Sequence, residues 1–445
     1  MMRSPGEAGL VRALGVWGLT ASIVNITIGG GIFRAPGTNE VTGRLGAAAP
    51  LAYVLCAIAM AFVVLCFAEA GSRVALTGGP YAYVERAFGS FAGFVIGWLL
   101  WLTGTIATAA VGTIFADAMQ RMIPTHPLTN RTTLLALVFG LVAFINVLGV
   151  RLGARLNIVS TIAKLAPLAL LVVFGAAYVD PANLAWHKLP AASDLSRASV
   201  FLLFVFAGIE SALVPSGEVR DPARTVPRAV LIALLVVTVA YILIQVVAQG
   251  VLGASLVGRT APLADVAEVA MGPFGAFMLG AAVVLSTFGY LCGMILAIPR
   301  ALFAFARDGV LPLGLASVHP TYHTPWVAII VQAVLSLGLA LSSGFELLVI
   351  LANVSVLFVY LGCAAAAWQL RRVNVRDESG AMVRPIPGAG WAPLLAMIVI
   401  ALLLTSITRR EWTVVGICAG VGVVFWLASR VHFPRGRRTA HQSRF

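Results

Sequence analysis

Charge is scarce in this chain. Charged residues make up 11% of the 445, and only 17 of them are Asp or Glu. No stretch between the apolar runs is long enough to hold a soluble domain. Cysteine is equally sparse. The five (Cys56, Cys66, Cys292, Cys363 and Cys418) all fall inside apolar stretches without metal-ligand spacing, which excludes a disulfide scaffold or a structural zinc site. The six histidines (His126, His187, His319, His323, His432 and His441) fall in loops or the tail. Neither His-Glu-x-x-His nor Gly-x-Ser-x-Gly occurs. A membrane enzyme needs a nucleophile, base or metal cluster at the membrane midplane, and none is visible. Repeated filter loops, from which a channel builds its pore, are also missing. No metal or cofactor is expected.

What the chain has in abundance is apolar sequence: 60% of it is hydrophobic. A membrane span needs about 20 mostly apolar residues. Twelve stretches qualify, near 13–38, 46–70, 91–118, 132–149, 156–178, 197–216, 229–252, 274–299, 325–343, 346–370, 391–408 and 411–430. The first is too long, and too poor in a small-residue cleavage site, for a cleaved signal peptide. The net charge of +13 is not that of a nucleic-acid binder, because its placement follows membrane topology. With the N-terminus inside, 21 of the 30 Lys and Arg lie on the cytoplasmic side and 9 on the other. Arg151, Arg155, Arg220, Arg224, Arg228, Arg371, Arg372 and Arg376 belong to the inner set, as the positive-inside rule demands. The even span count returns a basic tail, 431–445, to the cytoplasm and its anionic lipid. An integral protein of the plasma (inner) membrane is expected, with both termini cytoplasmic and no nucleic-acid partner.

Glycines 29 to 31 interrupt the first apolar stretch, in Val24-Asn25-Ile26-Thr27-Ile28-Gly29-Gly30-Gly31-Ile32-Phe33. Each glycine costs about 1 kcal/mol relative to alanine in a helix interior. Unwound backbone at membrane depth survives only where protein buries it or where it lines a polar cavity. The triplet therefore predicts a broken helix at a binding site. Tight helix–helix packing is the plainer alternative, since small residues serve that too.

A second pattern points to an internal repeat. Pro80-Tyr81-Ala82-Tyr83-Val84 with Gly89-Ser90-Phe91-Ala92-Gly93-Phe94 matches Pro262-Leu263-Ala264-Asp265-Val266 with Gly272-Pro273-Phe274-Gly275-Ala276-Phe277, at offsets of 182 and 183 residues. The first copy is cytoplasmic and the second external, which predicts an inverted repeat of five helices against five. Such repeats place a transport site at their interface near mid-membrane. The same offset carries Gly29–Gly31 to 211–213 in the sixth span, close to a second candidate break at Ala207-Gly208-Ile209-Glu210-Ser211.

At these residues the chain resembles the amino acid–polyamine–organocation (APC) superfamily. Gly29-Gly30-Gly31-Ile32-Phe33 is similar to that family's helix 1 motif, with Gly30 in place of its usual serine. Gly78-Gly79-Pro80-Tyr81-Ala82-Tyr83 to Phe88-Gly89 resembles its loop between helices 2 and 3. Phe206-Ala207-Gly208-Ile209-Glu210-Ser211, with Gly217 to Pro222 and Val226-Pro227, resembles helix 6 and the loop after it. Phe288-Gly289 through Pro299-Arg300, Ala306 to Gly309, Val318-His319-Pro320 and Thr324-Pro325 resemble the helix 8–9 region. The resemblance covers about 13–430. It implies an all-α polytopic membrane protein with the leucine-transporter fold: a 5+5 inverted repeat plus two extra helices, twelve transmembrane helices in all. The transporter domain then occupies 1–430, with repeats at 13–178 and 197–370 and peripheral helices at 391–430.

An amino acid offers a carboxylate and an ammonium, and a broken helix has complements for both. The amides of Gly30, Gly31 and Ile32, at the restart of helix 1, have no intrahelical acceptor and sit at a positive dipole end, suiting a carboxylate. Gly29 lets a ligand approach the backbone closely. Carbonyls left free at Thr27, Ile28, Phe204 and Ala207, beside Gly208, suit the ammonium. Glu210 is a carboxylate at a depth where such groups are costly and functional. It resembles the helix 6 glutamate that the family's arginine/agmatine antiporters use in proton sensing, although a structural role at the break stands equally. Lys164, the lysine within a span, resembles the helix 5 lysine that replaces the sodium ion of sodium-coupled relatives; snorkelling to the interface is its plainer role. Phe204 is placed to cover the substrate, and Thr103 and Thr108 lie where family members line the pocket. Met294 stands where the arginine/agmatine antiporters carry a tryptophan, which weakens any cation–π hold on a guanidinium. Glu69 and Asp117 are expected at the interface, and Arg307-Asp308-Gly309 is expected to pin a cytoplasmic loop. The resulting expectation is a secondary active transporter of neutral amino acids, working by alternating access, sodium-independent, and proton-coupled if Glu210 titrates in the cycle. Exchange of cationic amino acids or polyamines is the alternative.

Overall fold

The computed structural model describes residues 14–74, 78–123, 130–149, 164–186, 189–214, 219–343, 345–375, 386–405 and 407–432. The start of the expected fifth span with Arg151 and Arg155, the segment 215–218, Arg376 and the tail beyond 432 lie outside the described residues.

Among the described residues there is no strand, and sixteen α-helices follow one another, joined in places by short 3-10 or π turns. They are α1 (Val16–Thr27), α2 (Gly31–Arg34), α3 (Ala49–Arg73), α4 (Pro80–Phe88), α5 (Ser90–Met122), α6 (Arg131–Leu148), α7 (Lys164–Tyr178) and α8 (Ala192–Phe206). Then come α9 (Ile209–Ala212), α10 (Pro222–Leu252), α11 (Pro262–Ala297), α12 (Pro299–Arg307), α13 (Trp326–Ser342), α14 (Phe345–Arg372), α15 (Ala392–Leu404) and α16 (Arg409–His432). Seven helical stretches are long and apolar enough to cross a membrane, and eight if α1 and the helical turns from Gly31 to Gly43, bent at 40°, count as one broken span. Lys164–Tyr178, Trp326–Ser342, Ala392–Leu404 and Val415–Ala428 are shorter apolar helices. The protein is thus a helical integral membrane protein.

Both copies of the Pro-x-Ala-x-Val motif take the same local shape. A proline starts α4, which ends at Gly89 with φ 88° before the long α5. A proline likewise starts α11, whose helical path is interrupted at Gly272 with φ 66°, just before Pro273. Positive φ is cheap only for glycine, which fixes these two positions in sequence.

The core is one continuous apolar cluster. The interrupted α1 packs against α10, α11 and α9, and α14 runs beside α3, α4 and α5. Unwound backbone therefore lies inside protein, where partners for its amides and carbonyls are available.

Candidate functional site

The first break is a sharp one. Ile28 has φ −77° and ψ 67°, and the Gly29 amide donates to Thr27 O at 2.8 Å, which together make an inverse γ-turn. Helical backbone resumes at Gly31. The second break follows α8. Ala207 is extended (φ −66°, ψ 154°) and Gly208 has φ 130°, where a side chain would be strained. A Cβ at Gly208 would also lie 2.9 Å from Ile26 and 3.1 Å from the Thr27 amide, so the two breaks pass each other at close range and require glycine there.

One cavity lies between the breaks, with about 470 Å³ of empty space including its open mouth. Of the residues expected from the sequence, Thr27, Gly29, Gly30, Gly31, Thr103, Phe204, Ala207, Gly208, Glu210 and Met294 line it. Ile28, Ile32 and Thr108 are not on its wall. Thr108 is buried and donates its hydroxyl to Gly104 O at 2.6 Å, on its own helix. Tyr290 of α11, Asn353 of α14 and Ser211 also line the cavity, and sequence reasoning missed all three. Ser211 lies in the second break that the sequence marks, but Tyr290 and Asn353 sit in apolar helices whose pattern gives no clue to which face is wet; only a polar residue at spanning depth could have flagged Asn353.

The three glycines have different jobs. A Cβ at Gly29 would come within 2.7 Å of the Tyr290 ring, and one at Gly30 within 2.5 Å of Ile114. Those two are small because helices pack on them. Gly31 would carry its Cβ at ordinary contact distance, 3.5 Å, from Phe204 and Val205. Its missing side chain leaves room on the cavity wall.

Several carbonyls expected to be free are already held. Lys164 Nζ donates to Asn25 O and Ile28 O, each at 2.8 Å, and Ser286 donates to Ile28 O at 3.1 Å. Lys164 is fully buried, so it does not snorkel to the interface. Tyr241 of α10 brings its hydroxyl within 2.8 Å of Thr27 O and 2.9 Å of Val205 O. A phenol has one proton, so the two breaks share one donor. Asn25 Nδ2 donates to Gly289 O at 3.1 Å and fixes α1 on α11.

Glu210 lies at the second break, 2% exposed. Its two carboxylate oxygens accept from the Gly208 amide at 2.9 and 3.0 Å, and Oε2 also accepts from the Tyr360 hydroxyl at 2.9 Å. The carboxylate thus caps a free amide; among the described residues it does not donate to a free carbonyl, the arrangement a protonated structural acid would show.

Away from the cavity, Glu69 lies near the end of α3 and is covered by protein. It is 1% exposed and accepts from Arg73 at 2.7 and 3.0 Å, while Arg73 also donates to Val375 O at 2.8 Å. Asp117 is partly exposed and 3.9 Å from Arg34. Asp308 accepts from the Tyr81 hydroxyl at 2.8 Å, joining α4 to the turn after α12. Burial, with the Asp308 carboxylate beside it, pushes that phenol above its ordinary range.

Comparison with known proteins agrees with this geometry. A family model described as amino acid permease matches residues 14–429. The serine/threonine exchanger SteT of Bacillus subtilis (strain 168) is 28% identical over 400 residues, covering 88% of this chain and 90% of that protein. The branched-chain amino acid permease BcaP of the same organism is 27% identical, with 96% and 95% covered. The mouse large neutral amino acids transporter small subunit 2 is 27% identical, with 96% and 82% covered. These relatives are transporters and not enzymes. With two broken helices around one buried cavity and a family match along nearly its whole length, the chain belongs to the amino acid permease family, within the APC superfamily.

Proposed function

We propose that this chain is a secondary active transporter of neutral amino acids, working by alternating access without sodium. The observation that carries the proposal is the meeting of the two breaks, at Ile28–Gly30 and Ala207–Gly208, on one cavity. Gly31 and the amides beside it face the substrate carboxylate, and backbone at Ala207 faces the ammonium. Lys164 takes the place of a bound cation: its ammonium already holds two carbonyls of the first break. Glu210 is the coupling group, because it joins the second break to α14 through Tyr360. Taking a proton there would change its hydrogen bonds and hence the link between the two elements. Among the described residues, Glu210 is the one acid on the cavity wall, which favours a neutral substrate over arginine or a polyamine.

The four shorter apolar helices complete a twelve-span arrangement in the plasma membrane, with both termini cytoplasmic. The matching shapes around Gly89 and Gly272 support a 5+5 inverted repeat. Exchange is the second reading of transport mode, favoured by the similarity to a serine/threonine exchanger.

Counterflow in proteoliposomes tests the proposal. Vesicles loaded with unlabelled alanine should accumulate labelled alanine, equally in sodium and in choline buffer. If alanine, serine, threonine and leucine all fail to drive accumulation in vesicles holding folded protein, the proposal is wrong.

A further inference from the structure

Three side-chain atoms on the cavity wall have no hydrogen-bond partner among the described residues: Thr27 Oγ1, Thr103 Oγ1 and Asn353 Oδ1. Their residues are 4, 5 and 5% exposed. They come from three different elements, α1, α5 and α14. On α5 and α14, neighbouring hydroxyls show that this is not the habit of the helix. On α5, Thr105 donates to Trp101 O, Thr108 to Gly104 O and Thr113 to Ala110 O; on α14, Ser355 donates to Leu351 O. Thr103 is the α5 threonine whose hydroxyl is left over, and it is the one on the cavity.

A buried polar atom without a partner is costly. Leftover polar atoms converging on one cavity are the complement of polar groups on a ligand. Around them the wall is small and apolar, with Gly104, Ala107, Ala352 and Val356. An amide oxygen only accepts, so the ligand must bring a donor to Asn353 Oδ1; a threonine hydroxyl donates and accepts. A ligand hydroxyl has the chemistry for both, a proton to donate to Asn353 and lone pairs to accept from Thr103. It needs only a short side chain to carry it.

Resting on the proposal that this cavity binds an amino acid, we propose that Thr103 and Asn353 form the side-chain pocket and select a small β-hydroxy amino acid, serine or threonine, over an apolar one of the same shape. The two breaks take the main-chain groups common to all amino acids; α5 and α14 read the side chain. A site built to hydrogen-bond a hydroxyl rejects the isostere lacking it, because its own polar atoms are then left unpaired.

Threonine and valine differ by a hydroxyl for a methyl, and they make the test. In proteoliposomes, labelled alanine counterflow is inhibited by unlabelled threonine or valine, and the ratio of half-inhibiting concentrations is read within each variant, whatever its absolute rate. Wild-type protein should favour threonine by about tenfold or more. Asn353→Leu and Thr103→Val should each bring the ratio to within about threefold of one. Valine competing as well as threonine in wild-type protein overturns the proposal, and so does a tenfold preference kept by both variants. Should Asn353→Leu fail to reach the membrane, the wild-type ratio and Thr103→Val decide. If alanine, serine, threonine and leucine all fail to counterflow, it is the amino acid site that falls; alanine counterflow without discrimination, or counterflow of leucine alone, removes the side-chain pocket alone.

Discussion

Tyr360 donates its hydroxyl to Glu210 Oε2 at 2.9 Å, and so ties α14 to the break between α8 and α9. Both residues are buried, and Asn353, two turns earlier on α14, lines the cavity. One helix therefore touches both the cavity and the Glu210 carboxylate. Tyr360→Phe keeps the ring and its edge contact with Phe67 and removes only the hydroxyl. A hydrogen bond to a charged group is worth about 1.5–3 kcal/mol. The variant should melt at lower temperature and transport more slowly. A melting curve and an uptake rate both equal to wild type would make the contact incidental.

Lys164 gives a second prediction. Its two carbonyl contacts hold the inverse γ-turn at Ile28 in shape. Uptake should change by less than about twofold when choline replaces sodium at fixed pH. Lys164→Ala leaves Asn25 O without its ammonium donor and should reduce uptake tenfold or more. A tenfold fall of wild-type uptake in choline would show that a cation site exists elsewhere.

Much of this site is legible in the sequence, for a physical reason. Glycine triplets, a carboxylate and a lysine are all expensive inside a membrane span, so each marks a place where ordinary helix is being given up. Gly29–Gly31, Gly208, Glu210 and Lys164 stand out on those grounds; the glycines and Glu210 line one cavity, and Lys164 holds the first break from behind it. Tyr241, Tyr290 and Asn353 do not stand out, since an aromatic or an amide in an apolar helix satisfies many roles. Nor does composition tell Thr103 from Thr108: five residues apart on one helix, one faces the cavity and the other its own backbone. The carbonyls at Thr27 and Ile28 look free in sequence because their partners, Tyr241 and Lys164, come from helices far along the chain. For Glu69, sequence position gives depth along a span but not the cover that Arg73 supplies.

The glycine triplet can be divided by experiment. Gly29→Ala drives a Cβ to 2.7 Å from the Tyr290 ring, which is rigid and buried. It should lower the yield of folded protein. Gly31→Ala meets only ordinary contacts at 3.5 Å and should fold, but it narrows the cavity where the carboxylate approaches, and binding should weaken by about tenfold. Size-exclusion profiles and a thermal-shift titration separate the two effects. Equal behaviour of both variants would reject this division of roles.

Tyr241 shares one hydroxyl between Thr27 O and Val205 O. Tyr241→Phe removes the only side-chain donor found between the two breaks among the described residues, at a cost of about 1–3 kcal/mol for the buried acceptors it strands. Thr27 O retains the Gly29 amide, so the first break should persist while its registration on α8 loosens. The expected outcome is a lower melting temperature together with a weaker ligand-induced shift. Loss of stability with an unchanged ligand shift would make Tyr241 a packing residue alone.

Glu210→Gln tests coupling most directly. The carboxylate accepts from the single Gly208 N–H, shared between its two oxygens, and from Tyr360. Glutamine keeps the length and one acceptor oxygen, and its amide nitrogen can still meet the tyrosine oxygen. The variant should therefore fold and bind. What it cannot do is exchange a proton between the two halves of a cycle. If Glu210 is the coupling group, wild-type uptake rises as external pH falls, and Glu210→Gln loses that dependence. The variant should still equilibrate labelled substrate across the membrane but fail to concentrate it under an imposed pH gradient. The measurement is uptake against time in proteoliposomes, with and without the gradient, at several external pH values. A wild-type pH profile retained in Glu210→Gln would leave the carboxylate as the cap of Gly208 and put any proton route elsewhere.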